Sequence, residues 1–442
     1  MSGQGGRWLV FGASGYIGSH LVPRLLDESR PVRAVSRSRA VLEAREWEGA
    51  EVMAADALDP ASLEAALDGV EIAYYLVHSM TAGKGFGERD RRAARNFARA
   101  AQAAGVARIL YLGGLVPEGA RNEHVVSRRD TGEALREGAV PVTELRAGII
   151  VGPGSAAFEV MRDLVLHLPV MVTPRWVQSR SPPLALDNLL TYLAVLPLVP
   201  EAAGRTFEAG GPETLSYEEM MRILARVAGR REPLIVPVPL LSPRLSSYWM
   251  HLVTSVPTGI ARALVEGLRH DFTADDAALR EMVPQHLLGF RDAVAAAFQA
   301  EAQSAVVARW TEGAFVMRQH RSDYAFYAKR ASGSALAKAS PADVWPVVSA
   351  IGGANRYYAW DGLWTLREVL DWAAGGPGLR RGRRHPTELR VGDAVDSWRV
   401  MNVEPERRLT LQFGMKAPGA GVLEIELSPE GTRTRIKATA YW

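Results

Sequence analysis

Apolar positions in the first third of the chain form short runs separated by longer segments of helical periodicity. Six runs predict strands, at residues 8–11, 32–36, 51–54, 71–77, 108–112 and 142–146. The segments between them predict helices at residues 16–26, 60–67, 88–104 and 126–136. Regular alternation of strand and helix is typical of a parallel sheet with helices on both faces. We therefore predict an α/β fold with a doubly wound parallel sheet.

The alternation weakens after about residue 150. Helices are expected at 158–168 and 217–229, a late strand at 206–209, and irregular structure at 169–177. The apolar stretch 184–199 contains Asp187 and Asn188, so we interpret it as a buried helix. Residues 230–300 are expected to be mostly helical. Such a tail usually builds a substrate lobe over the sheet, which we place within about 151–300 of a domain covering residues 1–300.

The pattern changes again beyond a connector predicted at residues 301–333. Strands are expected at 334–338, 396–403, 408–414, 421–427 and 432–441, and helices at 341–349 and 365–373. Ser340, Pro341 and Asp343 have the residue types of a helix start. We therefore predict a smaller α+β domain over residues 334–442.

Composition narrows the functional classes. A chain of 442 residues has room for two or three domains, and a net charge of +3 gives no indication of nucleic-acid binding. Cysteine is absent from the sequence, which excludes disulfides, thiolate catalysis and cysteine-ligated zinc. No spacing of metal ligands is evident, and no long uncharged apolar run occurs. We expect a cytoplasmic protein of undetermined oligomeric state.

Three glycines follow the first predicted strand at intervals of three residues: Gly12, Gly15 and Gly18. The first allows a tight turn, the second lets a phosphate approach bare backbone, and the third lets the next helix pack closely. In this strand–turn–helix context the spacing predicts a dinucleotide pyrophosphate at the helix N-terminus.

The end of the second predicted strand reads Ser36-Arg37-Ser38-Arg39. An acidic residue there would bind a ribose 2′-hydroxyl and repel a 2′-phosphate. Guanidinium and hydroxyl groups instead suit a phosphate. The sequence thus favours NADP(H) over NAD(H), and the alternative is a solvated basic loop.

Three segments carry a resemblance to a known family: Gly-Ala-Ser-Gly-Tyr-Ile-Gly at 12–18, Ala55-Asp56, and Tyr-Tyr-Leu-Val-His-Ser-Met at 74–80. Residues 7–300 resemble the atypical, extended-type short-chain dehydrogenase/reductases of the NmrA/YbjT-like subgroup. The tail from residue 334 is similar to the DUF2867 domain, for which a START-like helix-grip shape with an apolar cavity is implied.

The resemblance implies a set of cofactor positions. The pyrophosphate would be held by Gly12, Ser14, Gly15, Tyr16, Ile17 and Gly18. Asp56 would approach the adenine, and Leu76, Val77 and His78 would line the adenosine and ribose side. Gly113 and Gly114 would lie near the nicotinamide.

The chain departs from the family at the catalytic positions. Short-chain dehydrogenases usually use a serine after the fifth strand and a Tyr-x-x-x-Lys pair, but here that strand ends in Gly113-Gly114. The matching spacing downstream is His124-x-x-x-Arg128. His124 is a reasonable proton donor near neutrality, and Arg128 could bind ribose or phosphate. The alternative is that both are ordinary surface residues.

Two features of the C-terminal domain allow further interpretations. Its many aromatic residues form either an ordinary core or a cavity for an apolar ligand. The run Arg380-Arg381-Gly382-Arg383-Arg384-His385 is either a solvated loop or a contact for phosphate or an anionic membrane. Helix-grip domains normally end with a long helix over the sheet, whereas this sequence ends at Tyr441-Trp442, directly after a predicted strand. We therefore expect either a domain that lacks this helix or a chain that was cut before it.

Three functions are compatible with these features. The first is an NADP(H)-dependent oxidoreductase that reduces an apolar carbonyl, enone or quinone-like small molecule. The second is a non-catalytic NADP(H)-binding redox sensor or regulator, which the missing serine and tyrosine favour. The third is a lipid-binding protein in peripheral contact with a membrane surface.

Overall fold

A computed structural model describes residues 6–78, 86–117, 123–238, 270–310, 312, 329–373, 382–414 and 421–442. The chain divides into two compact units. The first contains the described residues up to 312 apart from Ser304–Val306, and the second contains those three residues and the described residues from 329 onward. Each unit is described by itself.

The first unit is built from thirteen strands and ten helices among its described residues. The strands are β1 Arg7–Phe11, β2 Val32–Ser36, β3 Glu51–Ala54, β4 Val70–Tyr75, β5 Arg108–Gly114, β6 Val142–Ala147, β7 Ile150–Val151, β8 Val170–Pro174, β9 Arg180–Ser181, β10 Leu184–Ala185, β11 Thr206–Ala209, β12 Leu215–Ser216 and β13 Leu234–Val238. The helices are α1 Tyr16–Asp27, α2 Arg39–Glu43, α3 Pro60–Leu67, α4 Phe86–Ala103, α5 Glu123–Arg136, α6 Ala156–His167, α7 Leu186–Val195, α8 Tyr217–Val227, α9 Ala277–Met282 and α10 Phe290–Ala302.

Seven of these strands form one parallel sheet in the order β11-β6-β5-β4-β1-β2-β3. The strand order reverses between β1 and β4, which are neighbours in the sheet. In such sheets ligands bind outside the carboxyl ends of the strands at this reversal. The predicted doubly wound fold is confirmed, and the glycine turn lies at the reversal.

Hydrophobic residues cover both faces of the sheet. Tyr74 belongs to the cluster on one face, where its hydroxyl donates to the carbonyl of Leu193 at 2.9 Å. Tyr75 belongs to the cluster on the other face, where it stacks on Phe11. Successive residues of a strand face opposite sides, so these two tyrosines pack on opposite faces of the sheet.

Local sequence signals predicted several helix boundaries correctly. Asp59 accepts the backbone N–H of Ala61 at the start of α3, and Ser216 caps α8 together with Glu219. The prediction of irregular structure at 169–177 is wrong, because β8 occupies most of it and pairs in parallel with β13. Its partner lies more than 60 residues away, beyond the reach of local patterns. Much of the region predicted to be helical, residues 239–269, lies outside the described residues.

Among its described residues, the second unit is an antiparallel sheet with two α-helices. Its elements are β14 Arg330–Ala337, α11 Pro341–Ser349, α12 Asp361–Ala373, β15 Ala394–Val395, β16 Trp398–Glu404, β17 Arg408–Phe413, β18 Val422–Glu430 and β19 Arg433–Tyr441. The six strands lie in the order β14-β19-β18-β17-β16-β15. Val344 and Val348 of α11 pack with Leu409 and Leu411 of β17 in its core. The predicted α+β meander is confirmed.

Two arginines of the basic run are engaged within this unit. The guanidinium of Arg383 donates to the carbonyls of Ser349 and Ile351, and Arg384 pairs with Asp393. Arg380 and Arg381 lie outside the described residues. Within the described ranges, none of the helices has the length and apolar character needed to cross a membrane.

Candidate cofactor and active site

The glycine turn between β1 and α1 is tightly fitted to the neighbouring strands. Gly12 has a φ of +98°, a conformation that side chains disfavour, and its N–H donates to the carbonyl of Val35. A Cβ on Gly12 would lie 3.0 Å from the carbonyl oxygen of Leu76. The turn therefore accepts only glycine at this position.

Gly18 brings helix α1 against the same turn. A Cβ there would lie 2.5 Å from the carbonyl oxygen of Gly12 and 2.7 Å from the Cα of Ala13. Gly15 occupies the N-cap position with extended backbone, and no side chain caps the helix. Helix N-termini leave backbone N–H groups that attract anions. The turn thus offers an open backbone cradle that suits a pyrophosphate.

The predicted contribution of Tyr16 is limited to its backbone. Its hydroxyl donates to the carbonyl of Pro153 at 2.9 Å, and burial raises the pKa of the phenol above its ordinary value. Ser14 and Ile17 are half-buried, and Ile17 packs on the core of this unit. A phenol so buried and hydrogen-bonded is a poor proton donor, which removes Tyr16 as a substitute for the missing catalytic tyrosine.

The turn after β2 carries positive charge and no carboxylate between residues 36 and 39. Ser36 is buried, and its hydroxyl bonds the backbone of Ser38. Arg39 pairs with Glu43 one helical turn away. Arg37 is exposed, and within the described part of the chain no carboxylate pairs with it. Arg37 is therefore the cation of this turn best able to accept a new anionic partner.

Asp56 closes a turn after β3. Its carboxylate accepts the N–H of Leu58 at 2.9 Å, and its own N–H donates to the hydroxyl of Ser62. The side chain is exposed at the same edge of the sheet as the glycine turn. This placement is compatible with the predicted approach of Asp56 to an adenine. The contacts with Leu58 and Ser62 hold the turn without a ligand.

Residues 76–78 run from the end of β4 past the glycine turn. The N–H of Leu76 donates to the carbonyl of Phe11 at 2.9 Å, and Val77 Cγ2 lies 3.3 Å from where a Cβ of Gly12 would be. His78 Nδ1 lies 3.2 Å from Oδ2 of Asp90, a buried residue of α4. That carboxylate also accepts the hydroxyl of Ser127 of α5 at 3.2 Å. Sequence reasoning did not foresee this network, because Asp90 and Ser127 belong to no recognisable motif.

Arg128 lies against the end of β5. A Cβ on Gly114 would come within 2.8 Å of its Nη1 atom, whereas a Cβ on Gly113 would meet a carboxylate oxygen of Glu144 at 2.9 Å. His124 belongs to the first turn of α5, and its side chain lies outside the described part of the structure. The structure thus brings Arg128 to the predicted nicotinamide end of the site.

A cavity of about 320 Å³ opens beyond the end of β5. It is lined by Val116, Pro117, Glu208, His270, Asp271, Phe272 and Thr273. Glu208 is on β11, two strands from β5 in the sheet. These residues are scattered along the chain without a motif, so no local pattern predicts that they lie together.

The glycine turn falls within a region that matches a known family. Residues 12–139 match the family described as NAD(P)H-binding, and residues 324–442 match a protein family of unknown function, DUF2867. The predicted pairing of these two domains is confirmed.

Curated relatives of the chain are named as reductases. A (4-alkanoyl-5-oxo-2,5-dihydrofuran-3-yl)methyl phosphate reductase of Streptomyces griseus is 28% identical over 64% of this chain and 95% of its own length. A ceramide reductase of Caulobacter vibrioides is 27% identical over 62% of this chain and 88% of its own length.

Solved structures share the fold of the first unit. A Citrobacter sp. triphenylmethane reductase complexed with NADP(H) is 22% identical with a TM-score of 0.54, covering 66% of this chain and 99% of its own. The Escherichia coli NADPH-dependent quinone oxidoreductase QOR2, complexed with NADPH, is 20% identical with the same TM-score and coverages. This chain therefore carries an NAD(P)H-binding region within a Rossmann-like fold, followed by a DUF2867 domain.

Proposed function

We propose that the protein uses NADPH to reduce a small carbonyl, enone or quinone-like molecule with an apolar body. The observation that carries the proposal is the open backbone cradle at Gly15, fitted so closely that Gly12 and Gly18 tolerate no side chain. Such a cradle at the reversal of strand order suits a dinucleotide.

The residues around the cradle fit NADPH. The N–H groups at the start of α1 would hold the pyrophosphate, and Arg37 would meet the 2′-phosphate on the adenosine half. Phosphate is held well by a guanidinium, and no carboxylate between residues 36 and 39 opposes it. Relatives of this fold complexed with NADP(H) or NADPH support the same choice.

The other half of the site offers groups for a nicotinamide and an acceptor. Reduced nicotinamide supplies the hydride, and the protein supplies binding and orientation. Arg128 lies beside Gly114 and would hold the ribose of that half. The cavity beyond β5 would receive the acceptor; its lining includes the polar residues Glu208, His270 and Thr273 and the apolar residues Val116 and Phe272.

Oxidation of NADPH tests the proposal directly. The full chain is incubated with NADPH and, in turn, quinones, enones, ketones and a triphenylmethane dye, and absorbance at the reduced nicotinamide band is followed. We expect turnover with at least one acceptor, and tighter binding of NADPH than of NADH by calorimetry. Tight NADPH binding without turnover of any acceptor would favour the non-catalytic sensor instead.

A further inference from the structure

The site described above lacks the usual catalytic tyrosine, so reduction of a carbonyl needs another proton source. We propose that His78 is the proton donor and that Asp90 is its positioning residue. This inference rests on the proposed reductase function.

The first argument is the place of His78 in the sheet. It follows β4, and β4 is the neighbour of β1 on the side away from β2. A dinucleotide bound at the glycine turn crosses this reversal, with adenosine over the β1-β2-β3 half and nicotinamide over the other half. His78 therefore stands on the nicotinamide side, three residues beyond the end of β4 at Tyr75, although the family resemblance assigned it to the adenosine and ribose side.

The second argument is that a buried carboxylate fixes the imidazole ring. Asp90 is 4% exposed, and its Oδ2 lies 3.2 Å from His78 Nδ1. Ser127 donates to the same oxygen from α5, so the segment after β4 and the helices α4 and α5 meet at one carboxylate. A carboxylate against one ring nitrogen fixes the tautomer and orientation of an imidazole and stabilises its protonated form.

The third argument is access. The side chain of His78 is 16% exposed, whereas that of Asp90 is 6% exposed. His78 is therefore the more accessible member of the pair. Because Nδ1 is directed at Asp90, Nε2 is the ring nitrogen to which we assign the proton transfer.

The chemistry balances with these groups. A hydride adds to the carbonyl carbon as NADPH becomes NADP⁺, and the electron pair of the C=O π bond moves to the oxygen. Nε2–H of the His78 imidazolium gives its proton to that oxygen, which yields the alcohol and neutral imidazole. Water then returns a proton to the ring.

The test compares the full-length protein with His78→Ala and Asp90→Asn, using the best carbonyl acceptor found with the wild type. General acid catalysis contributes about 10²–10⁴-fold, so we expect kcat of His78→Ala to fall by about that factor while the NADPH dissociation constant stays unchanged. Added imidazole should restore part of the lost turnover.

Asp90→Asn should lower kcat more than it raises KM for the acceptor. His286→Asn, an exposed histidine away from the site, serves as the matched control and should leave kcat unchanged.

The outcomes separate this inference from the function on which it rests. If the wild-type protein oxidises NADPH with none of the acceptors, both the reductase proposal and the proposed role of His78 are wrong. If the wild type turns over and His78→Ala keeps its kcat, His78 is not the donor and the reductase proposal stands. A loss that imidazole does not restore, together with weaker NADPH binding, would make His78 a structural residue and overturn the inference.

Discussion

Arg37 and Arg39 lie two residues apart after β2, and among the described residues a carboxylate pairs with Arg39 but not with Arg37. Arg39 is held by Glu43, whereas Arg37 is exposed to solvent. In the proposed site, side-chain chemistry at this turn would decide between the two nicotinamide cofactors, because the glycine cradle would contact the pyrophosphate common to both.

Arg37→Asp is expected to weaken NADPH binding selectively. A hydrogen bond to a charged group is worth about 1.5–3 kcal/mol, which corresponds to roughly tenfold to hundredfold in the dissociation constant. NADH binding should change little or improve, because the new carboxylate can accept a 2′-hydroxyl. Calorimetry with both cofactors measures the effect, and Arg231→Asp, an exposed charge reversal elsewhere, is the control. Equal losses for NADPH and NADH would argue against a role for Arg37.

Gly18→Ala is expected to damage the cradle itself. Its methyl group would lie 2.5 Å from a backbone oxygen that cannot move without opening the turn. Overpacking typically costs about 1–3 kcal/mol, so both the melting temperature and the affinity for either cofactor should fall. Gly362→Ala is the matched control, because nothing lies within 4 Å of the added methyl group. If both variants bound NADPH like the wild type, the cradle would not be the cofactor site.

In the first unit, three described residues after α10 make buried polar contacts: Arg309, Trp310 and Glu312. The indole of Trp310 donates to Glu159 of α6 at 2.7 Å, and the guanidinium of Arg309 pairs with the same carboxylate. Arg45 and Glu312 form a buried pair at 2.7 Å. Leaving buried polar groups without partners costs free energy of folding. These contacts therefore fix the three residues, here called the fastened segment, to the rest of the first unit.

Trp310→Phe is expected to loosen this segment while keeping its apolar contact. The change removes one donor to the buried Glu159, and a lost partner of a buried polar group costs about 1–3 kcal/mol. Hydrogen exchange should become faster in α6 and in the segment itself. Trp360→Phe, at a side chain that is 77% exposed in the second unit, should leave that exchange unchanged. Unaltered protection in α6 after Trp310→Phe would contradict the fastening.

The same elements show what the sequence could and could not predict. β2, β3, α3 and β11 were predicted with the bounds that the structure has, because apolar runs, caps and turn residues are local signals. The predicted connector began at residue 301, yet Arg309–Glu312 is fastened by Glu159 and Arg45, which lie about 150 and 267 residues away. The cradle at Gly12, Gly15 and Gly18 could also be predicted, because its glycines lie within seven consecutive residues. The contact of His78 with Asp90 could not be predicted, because it depends on how α4 packs beside β4.

At the scale of the whole molecule, all residues proposed to bind the cofactor belong to the first unit. The family match to DUF2867 begins at residue 324, after the fastened segment. The first unit therefore extends beyond Ala302, the last residue of α10.

Two truncated chains test this boundary. A chain ending at Ala314 keeps Arg309, Trp310 and Glu312, so it should bind NADPH with the affinity of the full chain. A chain ending at Gln303 loses the partners of Glu159 and Arg45, and removing one member of a buried ion pair costs about 3–5 kcal/mol. Its melting temperature should be clearly lower. Identical thermal unfolding of the two chains would show that the fastening contributes no stability.

The turn that follows β7 has two neighbours that have so far been treated separately. Pro153 accepts the hydroxyl of Tyr16, the first residue of the cofactor helix, and the next residue, Gly154, accepts the N–H of Trp310. One short turn is thus shared by the helix that meets the pyrophosphate and by the segment that leads toward the second domain. Two events that tighten the same turn are thermodynamically coupled, and the coupling acts equally in both directions. If a ligand at the dinucleotide site stabilises this turn, it also stabilises the contact with Trp310. A change that breaks the contact with Trp310 would then lower the affinity for the ligand by the same free energy.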